Sequence, residues 1–290
     1  MKDYLSEFRS YLSLIKKSSA NTVESYVRDI SKFSDFASQN KVDDITSVSS
    51  DFIEKYITYI SAAKTESTVT RTISSLRCYY KFLSSIDMCK NIPIESMKTA
   101  KSKPDKKLPE ILDIDEVRRL LEQPDISDIK GIRDKAMLEL MYATGIKVSE
   151  LISLEIGSVN LQIGVVKIGK DERIVPLYDE ALKIISLYIS QCRSVIVTDP
   201  HEKMLFTNMN GTVLTRQGFW KIIKSYAAKA GIKKDITPHT IRHSFATHLL
   251  ENGANLEDIK ELLGYSDISS AQIYAQIVSN KYRGKYKQFH

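Results

Sequence analysis

Between residues 100 and 110 this chain cannot continue a helix. Pro104 and Pro109 each lack a backbone N–H and hold φ near −65°, and the run Lys101-Ser-Lys-Pro-Asp-Lys-Lys107 has no apolar residue to anchor it in a core. The 290 residues are thereby divided into two parts, each long enough to bury a core of its own. We expect domains at 1–100 and 109–290, joined by a basic linker at 101–108.

The first part reads as helix almost throughout. Leu5, Phe8, Leu12 and Ile15 form one apolar stripe; Val23, Tyr26, Ile30, Phe33 and Phe36 form a second, with Ser19 or Asn21 placed to cap it. A third helix is expected over Asp51–Ser61 and a fourth from about Ser67 to Ser84, on Val69, Ile73, Leu76, Tyr80 and Leu83. Four short amphipathic helices make a small helical domain.

The second part is mixed. Asp113 with Glu116 fits a capping arrangement that opens a helix through Leu121, and a further helix is expected over Arg133–Ala143, stopped by Gly145. Val165–Ile168 and Arg173–Leu177 predict a hairpin with Gly169 and Lys170 in its turn, and Leu205-Phe206 with Val213-Leu214 around Asn210-Gly211 predicts another. Thr237-Pro238 is a cap followed by proline at the first helical position, opening a helix that ends at Gly253. The expected class is mainly α in two domains, the second α+β with a small antiparallel sheet.

Charge is informative through its location. The net +6 is a weak sign of an anionic partner, yet residues 101–107 hold four basic residues against one acidic. Residues 108–290 are nearly balanced, with 24 basic and 23 acidic. The hydrophobic content of 42% excludes a disordered chain. Cys78, Cys89 and Cys192 lie far apart with no CxxC pair, which predicts reduced, buried thiols in a cytosolic protein. No apolar run approaches the ~18 residues of a membrane span, so a cytoplasmic location is expected.

If the linker lies on nucleic acid, the second domain is where chemistry would occur. Cutting a phosphodiester without metal needs a nucleophile, a proton donor for the leaving oxygen, and fixed cations around the phosphate. The acidic residues are scattered and the histidines do not pair at ligand spacing, so no metal and no cofactor are expected. His239 and Arg242 stand three apart at a helix start, where anions are favoured. Lys170 at a hairpin tip and Tyr274 among 15 tyrosines complete the candidates. Spacing alone leaves each open to a plainer role: a capping histidine, a surface arginine, a solvated lysine, a packed aromatic.

The stretch Pro238-His-Thr-Ile-Arg-His-Ser-Phe-Ala-Thr-His-Leu-Leu-Glu-Asn-Gly253, followed by Leu262-Leu-Gly-Tyr-Ser-Asp-Ile-Ser-Ser-Ala-Gln-Ile-Tyr274, resembles the tyrosine site-specific recombinases, most nearly the bacterial Xer branch. Ala143-Thr-Gly-Ile-Lys-Val-Ser-Glu-Leu151 is similar to that family's upstream catalytic box, and Lys170 with Glu172-Arg-Ile-Val-Pro-Leu177 to its β-hairpin. Ser19-Ala-Asn-Thr-Val-Glu-Ser-Tyr-Val-Arg-Asp-Ile30 resembles the family's SAM-like core-binding domain. The resemblance implies a C-shaped clamp on double-stranded DNA, crossed by a linker whose Lys101, Lys103, Lys106 and Lys107 meet phosphates. It further implies that Tyr274 attacks the scissile phosphate, leaving a 3′-phosphotyrosyl bond and a free 5′-hydroxyl. Lys170 would protonate the leaving oxygen, Arg242 would clamp the nonbridging oxygens and His239 would help in proton handling, with Glu150 bracing the box. Arg216 and Lys221 fall in a segment similar to a DNA-facing one. Assembly into a tetrameric synaptic complex and a nucleoid-associated location are also implied, and the C-terminal residues from 275, with Ile277 and Val278, would dock into a neighbouring subunit.

Two positions depart from the family pattern. The first catalytic arginine is Lys147, and the histidine or tryptophan nine residues before the nucleophile is Tyr265. Lysine keeps the charge and loses the fork that binds two oxygens at once. Losing one transition-state donor costs roughly 10²–10³ in rate, an upper bound for this exchange. Three readings stay open: an active recombinase, a weak or silent relative acting as a DNA-binding accessory protein, and a type IB topoisomerase-like relaxing enzyme.

Overall fold

The computed structural model describes residues 4–89, 92–94 and 108–289, and the side chains of all of these but 282 and 284–289. The linker lysines Lys101, Lys103, Lys106 and Lys107 lie outside the described residues. The chain divides into two compact units between Asp105 and Lys106.

The first unit holds α1 (Leu5–Ser10), α2 (Ala20–Gln39), α3 (Ser50–Ser61) and α4 (Glu66–Ser85). Three of them start on a side chain that accepts from a first-turn N–H: Ser19, Ser49 and Thr65. Phe8, Val23, Ile30, Phe33, Ile53, Tyr56, Leu76 and Tyr79 meet in a core rich in aromatic rings. The expected first stripe fails at its end. The helix passes into a π-helical turn at Tyr11–Ile15, the extra residue per turn rotates the face, and Ile15 is exposed while Phe8 and Leu12 are buried. Asp29 is buried on α2 and receives a two-pronged contact from Arg71 of α4, at 2.9 and 2.8 Å, with the Ser75 hydroxyl at 3.2 Å.

The second unit runs α5 (Ile114–Leu121), α6 (Ile129–Thr144), α7 (Val148–Leu151), β1 (Val159–Asn160), β2 (Val165–Ile168), β3 (Arg173–Pro176), α8 (Asp179–Leu187), α9 (Arg193–Ile196), α10 (Arg216–Lys229), α11 (Pro238–Glu251), α12 (Leu256–Leu263) and α13 (Gln272–Phe289). Asp113 and Glu116 form the expected capping box. α6 begins a turn earlier than expected because Asp128 caps it, and it ends where Gly145 takes a left-handed φ of 57°. It is apolar on nearly every side and runs through the core, against α8 and α11. Its Arg133–Asp134 pair is buried and satisfied from outside the helix: the Tyr226 hydroxyl donates to Asp134 at 2.9 Å and Arg133 donates to the Thr207 carbonyl at 3.3 Å.

The sheet is antiparallel in the order β1-β2-β3, with Val166 opposite Val175 and Lys167 opposite Ile174. Val166, Ile168 and Val175 face the core, and Lys167 and Ile174 face out. The second expected hairpin is reduced to a single bridge between Thr207 and Val213. The Asn208 side chain accepts from Asn210 N at 2.9 Å and Thr212 N at 3.1 Å, and its backbone N–H donates to the Thr212 carbonyl at 2.9 Å, so a side chain and a short stretch of backbone close the turn together. No described helix is long and apolar enough to cross a membrane.

Candidate active site

The site is built on the first turns of two helices. Thr237 caps α11, accepting from Thr240 N at 3.2 Å, and Pro238 fills the position whose N–H has no helical partner. This start sends His239, Arg242 and His243 out from successive turns of one face. His239 is exposed. Arg242 is buried, and its guanidinium donates to the Gly145 carbonyl at the end of α6 and to the Leu263 carbonyl at the end of α12, the latter at 2.7 Å. The Tyr265 ring lies on its guanidinium, 5.1 Å to the ring centroid.

Tyr274 stands in the first turn of α13, in a small apolar cluster with Phe245, Ala246, Ile259, Leu263, Ala271 and Ile277. Its side chain is fully buried and its hydroxyl has two partners among the described residues: Tyr265 Oη at 2.9 Å and His243 Nδ1 at 3.0 Å. Burial raises the phenol's pKa well above that of free tyrosine, Tyr265 adds to the rise, and the charge of Arg242 opposes it. Burial therefore favours the neutral form of this phenol.

A second group of side chains joins the elements that carry the two lysines. Arg173, at the start of β3, grips both carboxylate oxygens of Glu150, at 3.1 and 2.8 Å, and donates from Nε to the Leu262 carbonyl at 3.0 Å. Glu150 also accepts from the backbone N–H of Lys147 at 3.0 Å. Burial alone would raise the Glu150 pKa, but the Arg173 contact, the Lys147 N–H and both positive charges outweigh it and hold the carboxyl below its ordinary value. The Arg173–Glu150 pair thus ties the hairpin, the start of α7 and the end of α12 together. The hairpin tip and the loop at Gly264 come close to the same guanidinium: a Cβ at Gly169 or Gly264 would lie 3.0 Å from Arg173 Nη1.

The structure places Tyr265 in contact with both Arg242 and Tyr274 and His239 one turn from His243, ring centroids 6.3 Å apart. Lys147 caps α7 with its amino group 3.9 Å from Glu150 and its side chain 43% exposed. Lys170 is exposed at the hairpin tip. Neither lysine makes a hydrogen bond or ion pair with Tyr274 among the described residues. Arg216 and Lys221 are exposed on the first turns of α10, apart from this cluster. Two site residues were passed over in the sequence: His243, whose i+4 spacing from His239 gives it the same face, and Arg173, whose place at the strand start aims it at α7.

The family profile for the phage integrase family matches residues 110–281, and that for the phage integrase N-terminal SAM-like domain matches residues 5–85. The chain belongs to the phage integrase family. It is 41% identical over 294 residues to tyrosine recombinase XerD of Staphylococcus epidermidis (strain RP62A), covering 100% of this chain and 99% of that protein. It is 40% identical over 294 residues to tyrosine recombinase XerD of Staphylococcus aureus (strain Mu50), with the same coverage. Among solved structures it is similar to the XerA recombinase (TM-score 0.56, 26% identity, 99% of this chain and 98% of that one). It also shares the fold of the XerH site-specific recombinase solved as a post-cleavage complex with its palindromic difH substrate (TM-score 0.78, 18% identity, 97% and 84% covered). The mainly helical, two-domain integrase architecture with a small antiparallel sheet is that expected from the sequence.

Proposed function

We propose that this phage integrase family member is a site-specific recombinase of double-stranded DNA, with Tyr274 as nucleophile. The observation that carries the reading is the cluster in which the Tyr265 hydroxyl meets the buried Tyr274 phenol while its ring covers the fixed Arg242 cation. Tyr274 Oη attacks the scissile phosphorus, the P–O5′ bond breaks, and a 3′-phosphotyrosyl ester and free 5′-hydroxyl result. Arg242 and Lys147 neutralise the nonbridging oxygens, and His239 at the mouth of the site donates to one of them. Lys170 gives its proton to the leaving 5′-oxygen. Tyr265 moves its hydroxyl from Tyr274 to a phosphate oxygen as the phosphate enters. A 5′-hydroxyl from a partner duplex then attacks the ester, so the energy of the broken bond is kept and no nucleotide cofactor is consumed.

Exchange between two duplexes takes a protomer at each of four cleavage points, so a tetrameric synaptic complex is the working assembly, and chromosomal or element DNA in the nucleoid is its place of action. Arg216, Lys221 and the linker lysines serve as phosphate contacts. Ile277, which the resemblance implied would dock into a neighbour, is buried within its own chain at Tyr274, so any exchange of the C-terminal segment would start beyond it. The test is covalent trapping on a nicked suicide duplex carrying a binding site selected from randomised DNA. The wild type is expected to give a protein–DNA adduct and Tyr274→Phe none; an adduct that persists in Tyr274→Phe removes Tyr274 from this role.

A further inference from the structure

The nucleophile's hydrogen-bond partner on α11 is His243, one turn beyond the histidine that the family resemblance singles out. Its Nδ1 lies 3.0 Å from Tyr274 Oη, and the two ring centroids are 5.6 Å apart. We propose that His243 is a catalytic residue of the cleavage reaction, the general base that takes the phenolic proton of Tyr274 as its oxygen bonds to phosphorus. The inference rests on the reading of Tyr274 as nucleophile.

Three features of the site support it. The contact is within proton-transfer distance in the resting protein, with Tyr274 fully buried and His243 half-buried beside it. The imidazole is neutral: burial first, and then the neighbouring His239 and Arg242, lower its pKa from 6.5 to about 4. At neutral pH it therefore has one unprotonated ring nitrogen, and acceptance at Nδ1 requires the proton on Nε2. His239 is exposed and makes no hydrogen bond to Tyr274 among the described residues, a placement that suits a phosphate contact. The ionisable groups facing His243 among the described residues are His239 and Arg242 on its own helix and Tyr274 from α13, whose hydroxyl is also met by Tyr265 from the loop after α12.

Transfer from a phenol to so weak a base is uphill in the resting site. It becomes downhill during attack, because the phenolic oxygen loses its basicity as the P–O bond forms and the entering phosphate's negative charge raises the proton affinity of the imidazole. The step balances. The Oη–P bond forms as the Oη–H proton passes to Nδ1, and the P–O5′ bond breaks as Lys170 supplies a proton to O5′. In rejoining, neutral Lys170 takes the proton of the attacking 5′-hydroxyl and the His243 imidazolium returns its own to Tyr274.

The test uses the full chain and single-turnover cleavage of the suicide duplex. His243→Gln, which retains a polar contact but no base, is expected to lower the cleavage rate on the order of 10²-fold or more. Placing 2,3,5-trifluorotyrosine, a more acidic phenol, at position 274 should restore most of that loss while changing the His243 protein little. A duplex with sulfur in place of the bridging 5′-oxygen, whose leaving group needs no proton, should rescue Lys170→Ala but not His243→Gln. The inference is overturned if His243→Gln cleaves within about threefold of wild type, if the sulfur substrate rescues it, or if the fluorinated phenol does not. Should His243→Gln not fold, the fluorinated phenol in the native background keeps the test: a large acceleration there would mean that no base assists Tyr274. The Tyr274→Phe control separates the two levels: an adduct in that variant sinks the nucleophile itself, whereas its absence beside an unimpaired His243→Gln sinks only the base.

Discussion

Replacing Lys147 by arginine should make this a faster enzyme without making it a more stable protein. The lysine amino group is 3.9 Å from Glu150, and that carboxylate is already held at both oxygens by Arg173 and by the Lys147 N–H, so the side chain is not needed to neutralise it. With 43% of the side chain exposed there is room for the longer guanidinium. A surface exchange of this kind changes stability by about 0.5 kcal/mol or less. The kinetic effect is larger. A full transition-state donor is worth roughly 10²–10³ in rate; since the charge is already present and only the second arm of the fork is gained, we expect about 10- to 100-fold, or ~1.4–2.7 kcal/mol. The measurement is the single-turnover rate of adduct formation for wild type and Lys147→Arg on the same nicked duplex, with binding measured separately. A rate that is unchanged or lower in Lys147→Arg, at equal DNA occupancy, would show that position 147 does not meet the phosphate. Adduct formation by Lys147→Arg alone would show the natural chain to be a DNA-binding relative with a silenced site.

Other expectations concern the brace, the first unit and the linker. Glu150→Ala leaves Arg173 largely buried without its carboxylate and should cost about 3 kcal/mol, a fall in melting temperature of roughly 6–12 °C. Because the folded-state pKa of Glu150 is depressed, its contribution is fully present above the ordinary value of 4.5 and is lost as pH falls through the depressed one; the variant's acid limb should be correspondingly flatter, and an identical limb would refute the assignment. Arg71→Met strands the buried Asp29 carboxylate and should destabilise the first unit by about 2 kcal/mol, allowing for the exposure of Arg71, with the second unit's hydrogen exchange unaltered. Changing Lys101, Lys103, Lys106 and Lys107 together to alanine should lower the salt slope of DNA binding by roughly 3–4; an unchanged slope would make the linker a solvated spacer.

What the sequence made legible follows from where the information is local. Caps at Ser19, Asp113 and Thr237, the stop at Gly145 and the alternation in Val165–Ile168 are each decided by a few adjacent residues, and the structure has them. The π-helical turn at Tyr11–Ile15 and the turn closure at Asn208 are alternatives to the regular pattern that the same local composition allows, so periodicity misread both. In the site, Tyr274, Arg242 and His239 stood out by motif. The Arg173–Glu150 grip spans 23 positions, and the contact of His243 with Tyr274 spans 31. No spacing rule reaches that far.

Arg242 shows why such a site tolerates a nearly neutral catalytic domain. Its guanidinium is buried and bound to carbonyls at the C-terminal ends of α6 and α12, where unsatisfied carbonyl groups and the helix dipoles leave negative potential. Two helix ends therefore fix the guanidinium in place; in the proposed role of phosphate clamp it would stand aimed before DNA arrives, with little reorganisation left for the reaction. The same contacts make Arg242 a structural tie. Removing it frees the ends of α6 and α12, one adjoining Lys147 and the other adjoining Tyr265, so an alanine at 242 would disturb three of the proposed site residues at once. Its kinetic loss would then exceed the worth of a single phosphate contact, and only a lysine at 242, which retains a donor for one carbonyl, separates the electrostatic part from the architectural one.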